Sequence, residues 1–374
     1  MNILIVQGPY YPIPPIAGGA TEKYMWNLGS ELSKRGHSVS FLSRAWKDLS
    51  PKTDTNNLTI HRHGGFPQKD SLLSTILHDC WYAQHWLRHL PSHDLVISND
   101  LSFSLLSKVF GGVKNLIVCL GRKPRAYCRH LNHARTIVVP SSSIREDLLA
   151  ICNQSSVRVD VIGLMIDPKL YCPPTKKLFT KNQKLHFLYV GRIHPEKGLH
   201  NLIRAFNLLY AENPNCQLKI LGPSNIANGG GGDSYFNALK DLGNSNIVFL
   251  DPEYDQKKLV EHLQWSDVFC YPSIALQGET FGVAILEAMA CGAVPLVSNL
   301  PCFKDLVTHD QNGLVFDCSQ INIVENILEA LATCFKNPSR LEFLSESARA
   351  SALNFSAENI TNSFCKLFQQ ILGS

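Results

Sequence analysis

Two glutamates eight positions apart, Glu279 and Glu287, bracket Thr280, Phe281, Gly282 and Val283 within the stretch Tyr271 to Asn299. A run of helix formers from Val283 to Ala290 follows, and Cys291-Gly292 stops it. The spacing predicts a tight polar loop carrying Glu279 and a helix carrying Glu287. The free backbone N–H groups of the first helical turn then lie between them. Those donors, and the partial positive charge of the helix end, suit a phosphate or diphosphate. Gly278 and Gly282 let the chain approach a ligand with no side chain in the way. Carboxylates beside an anion site make sense if they accept hydrogen bonds from hydroxyls, which sugars and riboses supply. The local chemistry points to a sugar nucleotide gripped through ribose, diphosphate and hexose together. A second stretch, Gly191-Arg-Ile-His-Pro-Glu-Lys-Gly198, sets Arg192 and Lys197 on a glycine-bounded loop ahead of a helix. Cations so placed can neutralise a diphosphate leaving group. The plain alternatives are a solvated glutamate pair and two unrelated surface cations.

These residues need elements to hold them. Asp267 to Tyr271 reads as the strand feeding the glutamate loop, and Ala293 to Ser298 as the strand after its helix. Leu185 to Val190 is the strand ahead of Gly191, with a helix running to about Tyr210. Gln217 to Gly222 and Ile247 to Leu250 are further strands. Asn228-Gly-Gly-Gly-Gly-Asp233 reads as a mobile loop, its glycines too numerous to hold one conformation. Asp251-Pro-Glu-Tyr-Asp255 reads as an acid-rich helix start.

At the start of the chain Asn2 to Val6 is a buried parallel strand running into a loop with Gly18 and Gly19, then a helix from Ala20 or Thr21. Strand, glycine loop and helix form a ligand-loop arrangement; a loop merely stiffened by its prolines is the alternative. His37 to Ser43, Leu58 to Arg62, Asp94 to Ser98, Asn115 to Leu120, Thr136 to Pro140 and Val157 to Gly163 continue the strands. Helices fall at Leu101 to Val109 and from Ser141 to Ile151. Asp70 to Leu90 carries Leu72, Leu73, Ile76, Leu77, Trp81, Trp86 and Leu87 at helical spacing, expected as an ordinary packing face rather than a membrane-surface helix. Such alternation predicts parallel sheets covered on both faces. Arg122, Lys123 and Arg125 follow the 115–120 strand; they suit either a grip on an acceptor phosphate or carboxylate, or a solvated basic loop.

The segment Glu279-Thr-Phe-Gly-Val-Ala-Ile-Leu-Glu287, with Ala288-Met-Ala-Cys-Gly-Ala-Val-Pro after it, resembles the Glu-(seven residues)-Glu motif of retaining GT-B glycosyltransferases, particularly family 4 (glycosyl transferases group 1). Gly191-Arg192 and Lys197-Gly198 resemble that family's Gly-Arg-x-x-x-x-Lys-Gly segment. Gly18-Gly19 is similar to the paired glycines that approach the donor. The resemblance implies two Rossmann-like α/β domains facing a cleft. Boundaries are expected at 1–172, a linker over 173–184, a nucleotide-sugar domain over 185–354, and a terminal helix over 355–374 packing back on the first domain. It implies a metal-independent retaining transfer from a nucleoside-diphosphate sugar, UDP foremost, to a hydroxyl acceptor. Arg192, Lys197 and Glu279 take the catalytic roles, with Gly18, Gly19, Gly191, Thr280, Phe281, Gly282, Val283 and Glu287 on the donor. The family often carries a histidine after the 115–120 strand; here Val118-Cys-Leu-Gly-Arg-Lys-Pro-Arg has none. A sugar-nucleotide epimerase or a non-catalytic sugar-nucleotide-binding scaffold stays open beside the transferase.

Bulk composition agrees. The 374 residues suffice for two domains; 45% apolar and 18% charged residues describe a globular chain, and +4 net charge gives no reason to expect nucleic acid. Twelve cysteines contain no C-x-x-C pair, so buried thiols in a reducing compartment are expected rather than a disulfide framework or metal set. No Asp-x-Asp triplet occurs, no cofactor or metal is expected, and no apolar stretch is long enough to span a bilayer. The expected location is the cytoplasm, with peripheral membrane contact left open.

Overall fold

Apolar runs without alternation become strands covered on both faces. In the computed structural model, which describes residues 1–374 except 68–70, 153–156, 175–176, 178, 181–182, 320 and 374, Leu4, Ile5, Val6, Leu95, Val96 and Ile97 are fully buried. So are Phe187, Leu188, Val294, Leu296 and Val297. The chain divides into two compact units, Met1–Met165 with Ala357–Ser374, and Ile166–Ser356.

In the first unit the elements are β1 (Asn2–Val6), α1 (Ala20–Lys34), β2 (Ser38–Ser43), β3 (Lys52–Thr55), β4 (Leu58–Arg62), α2 (Leu72–Arg88), β5 (Leu95–Ser98), α3 (Leu101–Phe110), β6 (Leu116–Cys119), β7 (Thr136–Val139), α4 (Ser142–Ile151) and β8 (Val159–Val161). Among the described residues the sheet runs β3-β4-β2-β1-β5-β6-β7-β8, parallel except for the β3–β4 hairpin. In the second unit follow β9 (Leu185–Val190), α5 (Leu199–Glu212), β10 (Cys216–Leu221), α6 (Gly232–Leu242), β11 (Ile247–Leu250), α7 (Gln256–Trp265), β12 (Val268–Tyr271), α8 (Val283–Ala290), β13 (Val294–Ser298), β14 (Leu314–Phe316), α9 (Ile323–Lys336) and α10 (Pro338–Leu353). Its parallel sheet runs β11-β10-β9-β12-β13-β14. The last helix, α11 (Ala357–Leu372), belongs to the first unit. Its residues Ile360, Phe364, Leu367, Phe368 and Ile371 recur on one face and are buried. Each contributes roughly 1.5–3 kcal/mol of burial. Arg35 fastens it, donating to Asn362 Oδ1 at 2.7 Å and to the Glu358 carbonyl at 3.0 Å.

In each unit the strand order reverses once. After β1 and β2 the chain returns to the far side of β1 with β5. After β9, β10 and β11 it returns to the far side of β9 with β12. The crevices at the carboxyl ends of β1/β5 and β9/β12 are therefore topological switch points, where open α/β sheets receive ligands.

Three expectations change. The sequence places the end of the first domain at residue 172, but the units divide after Met165. The reason is packing: Tyr171 is buried and the Cys172 carbonyl accepts from Gln264 at 2.8 Å, both within the second unit. Five positions of the expected linker, 175–176, 178 and 181–182, lie outside the described residues, as does Asp70. The expected face of α2 is really two stripes. Trp86 and Leu87 are buried with Tyr82 and Ala83, while Leu73, Ile76, Leu77 and Trp81 are exposed. At 3.6 residues per turn the positions 79, 82–83, 86–87 and 90 form one face and 73, 76–77 and 81 another. The side chain of Leu72 is outside the described set. The third change is the glycine run 229–232, which is built rather than mobile. The N–H groups of Gly230, Gly231 and Gly232 donate to the carbonyls of Asn225, Ile193 and Ser224 at 2.8 Å each. A Cβ on Gly230 would sit 2.1 Å from the Ser224 carbonyl oxygen, so these glycines serve close backbone approach. Among the described residues no helix is long and apolar enough to cross a membrane.

Candidate active site

The second switch point collects both predicted motifs, because the loops after β9 and β12 leave adjacent strand ends. The two loops are stitched together. Ile274 N–H donates to the Glu196 carbonyl at 2.9 Å, and the Ser273 hydroxyl to the same carbonyl at 3.4 Å. Gly198 lies in the left-handed region, φ +69°, and a Cβ there would come 2.1 Å from the Pro272 carbonyl oxygen. Only glycine lets the loops approach this closely.

On this frame Lys197 and Glu279 form an ion pair, Nζ to Oε1 at 2.5 Å, their side chains 5% and 8% exposed. The Lys197 ammonium lies 5.7 Å from the centre of the Tyr271 ring, and the Glu279 charge acts on the buried Tyr271 hydroxyl. Tyr189 stacks on Tyr271 at 5.8 Å and donates its hydroxyl to the Arg192 carbonyl at 2.8 Å. Burial first, then the Glu279 charge, pushes both tyrosine hydroxyls well above their ordinary range, so both remain proton donors. Arg192 is held at two points: Nη2 donates to Glu196 Oε1 at 2.7 Å and Nη1 to the Gly229 carbonyl at 3.0 Å. Glu196 Oε1 also stands 4.0 Å from Lys197 Nζ. The short 3₁₀ turn Pro195–Lys197 brings this carboxylate between the two cations.

Gly191 closes the end of β9, where its N–H donates to the Leu221 carbonyl at 3.0 Å. Thr280 is half-buried, and Phe281 is buried and packs edge-on against Phe355 at 5.5 Å. Gly282, φ +102°, forms the N-cap of α8 and Val283 its first residue, so the free N–H groups fall where the sequence placed them. Glu287 is on α8, and burial first, then the Glu287 charge, raises the pKa of the Tyr171 hydroxyl. Arg192, Lys197 and Glu279 thus converge directly, with Glu287 just over one turn into α8. Glu196, Tyr171, Tyr189 and Tyr271 are the residues that sequence reasoning missed. Glu196 had a signal, an acid inside a cationic loop; the tyrosines sat in strand or linker segments and read as packing.

The residues expected in the first unit are more scattered. Gly18 and Gly19 both adopt positive φ, +87° and +91°, and a Cβ on Gly19 would strike Glu22 Oε2 at 2.1 Å. Burial raises the pKa of that glutamate, with Arg122 opposing. Arg122 also acts on Tyr10, placing it beside the loop after β1. Lys123 instead pairs with Asp147 at 3.4 Å, and Arg125 caps the turn Ala126–Leu131. His133 gives its Nε2 to the Ser104 carbonyl at 2.9 Å and the Ser107 hydroxyl at 3.0 Å on α3.

Comparison with known proteins agrees with this geometry. Residues 17–170 match the family description Glycosyltransferase Family 4, and residues 175–351 match Glycosyl transferases group 1. A Rhodococcus jostii protein named D-inositol 3-phosphate glycosyltransferase is 27% identical over 393 residues, covering 94% of this chain and 84% of its own. The fold is similar to sucrose-phosphate synthase from Thermosynechococcus elongatus, TM-score 0.79 at 17% identity, over 100% of this chain and 99% of the other. It is also similar to Anabaena HepE in complex with UDP and glucose, TM-score 0.71 at 18% identity, over 99% of each chain. The chain belongs to the group 1 glycosyltransferases and is an enzyme of the GT-B fold.

Proposed function

We propose that the protein moves a hexose from a nucleoside-diphosphate sugar, UDP foremost, to a hydroxyl of a sugar-type acceptor, with retention and without a metal ion. The observation that carries this reading is the convergence of Arg192, Lys197 and Glu279 at the β9/β12 switch point. In the reaction the bond from the anomeric carbon to the diphosphate breaks, and the acceptor oxygen bonds to the same face. The acceptor proton passes to the departing phosphate. Arg192 and Lys197 stabilise the charge that develops on the diphosphate, helped by the free N–H groups ahead of α8. Glu279 and the Phe281–Gly282 backbone orient the hexose hydroxyls, and Glu287 holds the ribose. UDP is favoured over other bases by the UDP in the Anabaena structure.

A thermal-shift panel of UDP-, GDP- and ADP-sugars in EDTA tests the reading. Native-state binding at a hundredfold excess over Kd stabilises by ~2.7 kcal/mol, which is roughly 5–11 °C for a unit of this size. A shift with one nucleotide in EDTA is the expected result. The absence of a shift with all three sinks the donor assignment.

A further inference from the structure

Helix α2 carries two apolar faces, and the core of the first unit uses one of them. Tyr82, Ala83, Trp86 and Leu87 are buried in that core. On the outer side Leu73 is 74%, Leu77 69%, Trp81 57% and Ile76 47% exposed. At about 100° per residue, Leu73, Leu77, Trp81, Gln84 and Arg88 fall within about 80° of the helix circumference, with Ile76 at one edge. They form a stripe about 22 Å long, apolar from Leu73 to Trp81 and cationic at Arg88. The end of α3 widens it. Val109 and Phe110 are exposed there, and the Arg88 guanidinium lies 5.9 Å from the centre of the Phe110 ring. Of the eighteen large apolar side chains exposed among the described residues, six therefore sit on these two helices. Single exposed apolar residues are ordinary, whereas a contiguous stripe marks a place where something docks. The expectation of an ordinary packing face holds for the inner stripe only.

The charges beside the stripe select its partner. The one acid of α2, Asp79, faces inward, where both its oxygens accept from the Tyr10 hydroxyl at 2.9 and 3.0 Å. Helix α3 has no acid, and Asp100 ahead of it is buried as its N-cap. The charged side chains that these two helices expose are Arg88 and Lys108. Lys108 donates to Asn132 Oδ1 at 3.4 Å, and among the described residues neither cation has a carboxylate within ion-pair distance. A second copy of the face would bring the same cations and no acid to answer them, which disfavours self-pairing. A bilayer containing acidic lipids answers both parts of the surface. Its acyl chains take Leu73, Ile76 and Leu77, and Trp81 sits at the headgroup level, where indoles concentrate. Its anionic headgroups meet Arg88 and Lys108. We propose that the outer face of α2, with the end of α3, is a docking surface for an anionic lipid bilayer, α2 lying in the plane of the interface. Docking of this kind goes beyond the transfer reaction and does not depend on the donor assignment.

The test is co-sedimentation of the full chain with vesicles of phosphatidylcholine alone and of phosphatidylcholine mixed equally with phosphatidylglycerol. Binding to the mixed vesicles is expected, with the neutral ones roughly tenfold weaker. Leu77→Ser and Trp81→Ala should each weaken binding to the mixed vesicles roughly tenfold, as should Arg88→Glu. These side chains are exposed, so unchanged melting temperatures should show the variants folded. Phe343→Ala, at an exposed apolar residue on α10 in the second unit, should bind like the wild type. The proposal is overturned if neither vesicle binds the protein, which would leave the stripe to a protein partner. Equal binding to both vesicles overturns the anionic assignment. Binding that survives in Leu77→Ser and Trp81→Ala, or that Phe343→Ala weakens as much, overturns the placement on α2. Ultracentrifugation without lipid supplies the last outcome: a dimer that Leu77→Ser dissociates gives the face to a second copy and overturns the proposal.

Discussion

Removing the charge of Lys197 separates what the lysine does for the fold from its proposed role on the donor. Lys197 and Glu279 are 5% and 8% exposed and 2.5 Å apart. Lys197→Met keeps the apolar stem and leaves the Glu279 carboxylate without its cation. Breaking a buried pair from one side costs about 3–5 kcal/mol. The neighbouring Glu196 is 31% exposed, so some water reaches the site, and the lower end, about 3 kcal/mol, is expected. For the second unit, residues 166–356, this is a fall of roughly 6–12 °C. The double variant Lys197→Met/Glu279→Gln removes both charges and should return to within about 1 kcal/mol of wild type.

Scanning calorimetry reads this, with separate transitions allowed for the two units. Titration with UDP reads the functional half. Single and double variants should both lose affinity, roughly 10- to 100-fold for one charge-assisted phosphate contact. Stability would recover in the double variant while binding would not. A double variant as unstable as the single one would refute the buried-charge account. A double variant that binds UDP like wild type would refute the placement of Lys197 on the diphosphate.

Two further outcomes follow from the same geometry. Burial lifts the Asp100 carboxyl from 3.8 to about 7, so the folded protein keeps a proton that the unfolded chain releases near pH 4. Stability from this group is therefore full below pH 4 and lost as pH rises to 7. Asp100→Asn should match wild type at pH 4 and exceed it at pH 8 by up to about 4 kcal/mol; an equal melting difference at both pH values would sink this. Gly198→Ala forces a Cβ toward the Pro272 carbonyl at positive φ. It should cost about 2–4 kcal/mol and weaken donor binding; a melting point within about 2 °C of wild type contradicts it.

The second unit was legible because its chemistry is local in the chain. Arg192 and Lys197 lie five positions apart, Glu279 and Glu287 eight, and glycines marked both loops as places of close approach. The run of helix formers stopped at Gly292 likewise located α8, and the apolar run after it β13. What stayed hidden depends on three dimensions. Glu196 looked like one more charge on a loop until the 3₁₀ turn set it between two cations. The Gly229–Gly232 run read as loose because composition shows freedom, not the carbonyls that crowd it. The stripe on α2 was misread because two apolar faces overlap in one segment, and only the sheet beneath selects Tyr82 and Trp86. In the first unit the buried polar side chains at the β1/β5 switch point, Gln7, Arg44, Tyr82, Trp86, Asn99 and Asp100, are spread over some ninety residues with no shared spacing.

The two switch points differ in how they solve burial. At β9/β12 every charge is answered within the protein, Lys197 by Glu279 and Arg192 by Glu196. At β1/β5 the buried groups are amides, a hydroxyl, an indole, a carboxyl and a guanidinium, each with one side-chain atom left without a hydrogen bond. Charges tolerate burial without a partner far less well than amides or hydroxyls. In the proposed donor placement a diphosphate therefore exchanges with the carboxylates for the cations. An anion that displaced Glu279 from Lys197 and brought no hydroxyls would strand a nearly buried carboxylate, whereas one carrying a sugar supplies new donors to it. On this argument the ion pair favours a sugar-bearing diphosphate over a bare one, and Glu279 contributes to selectivity because it is paired in the free protein.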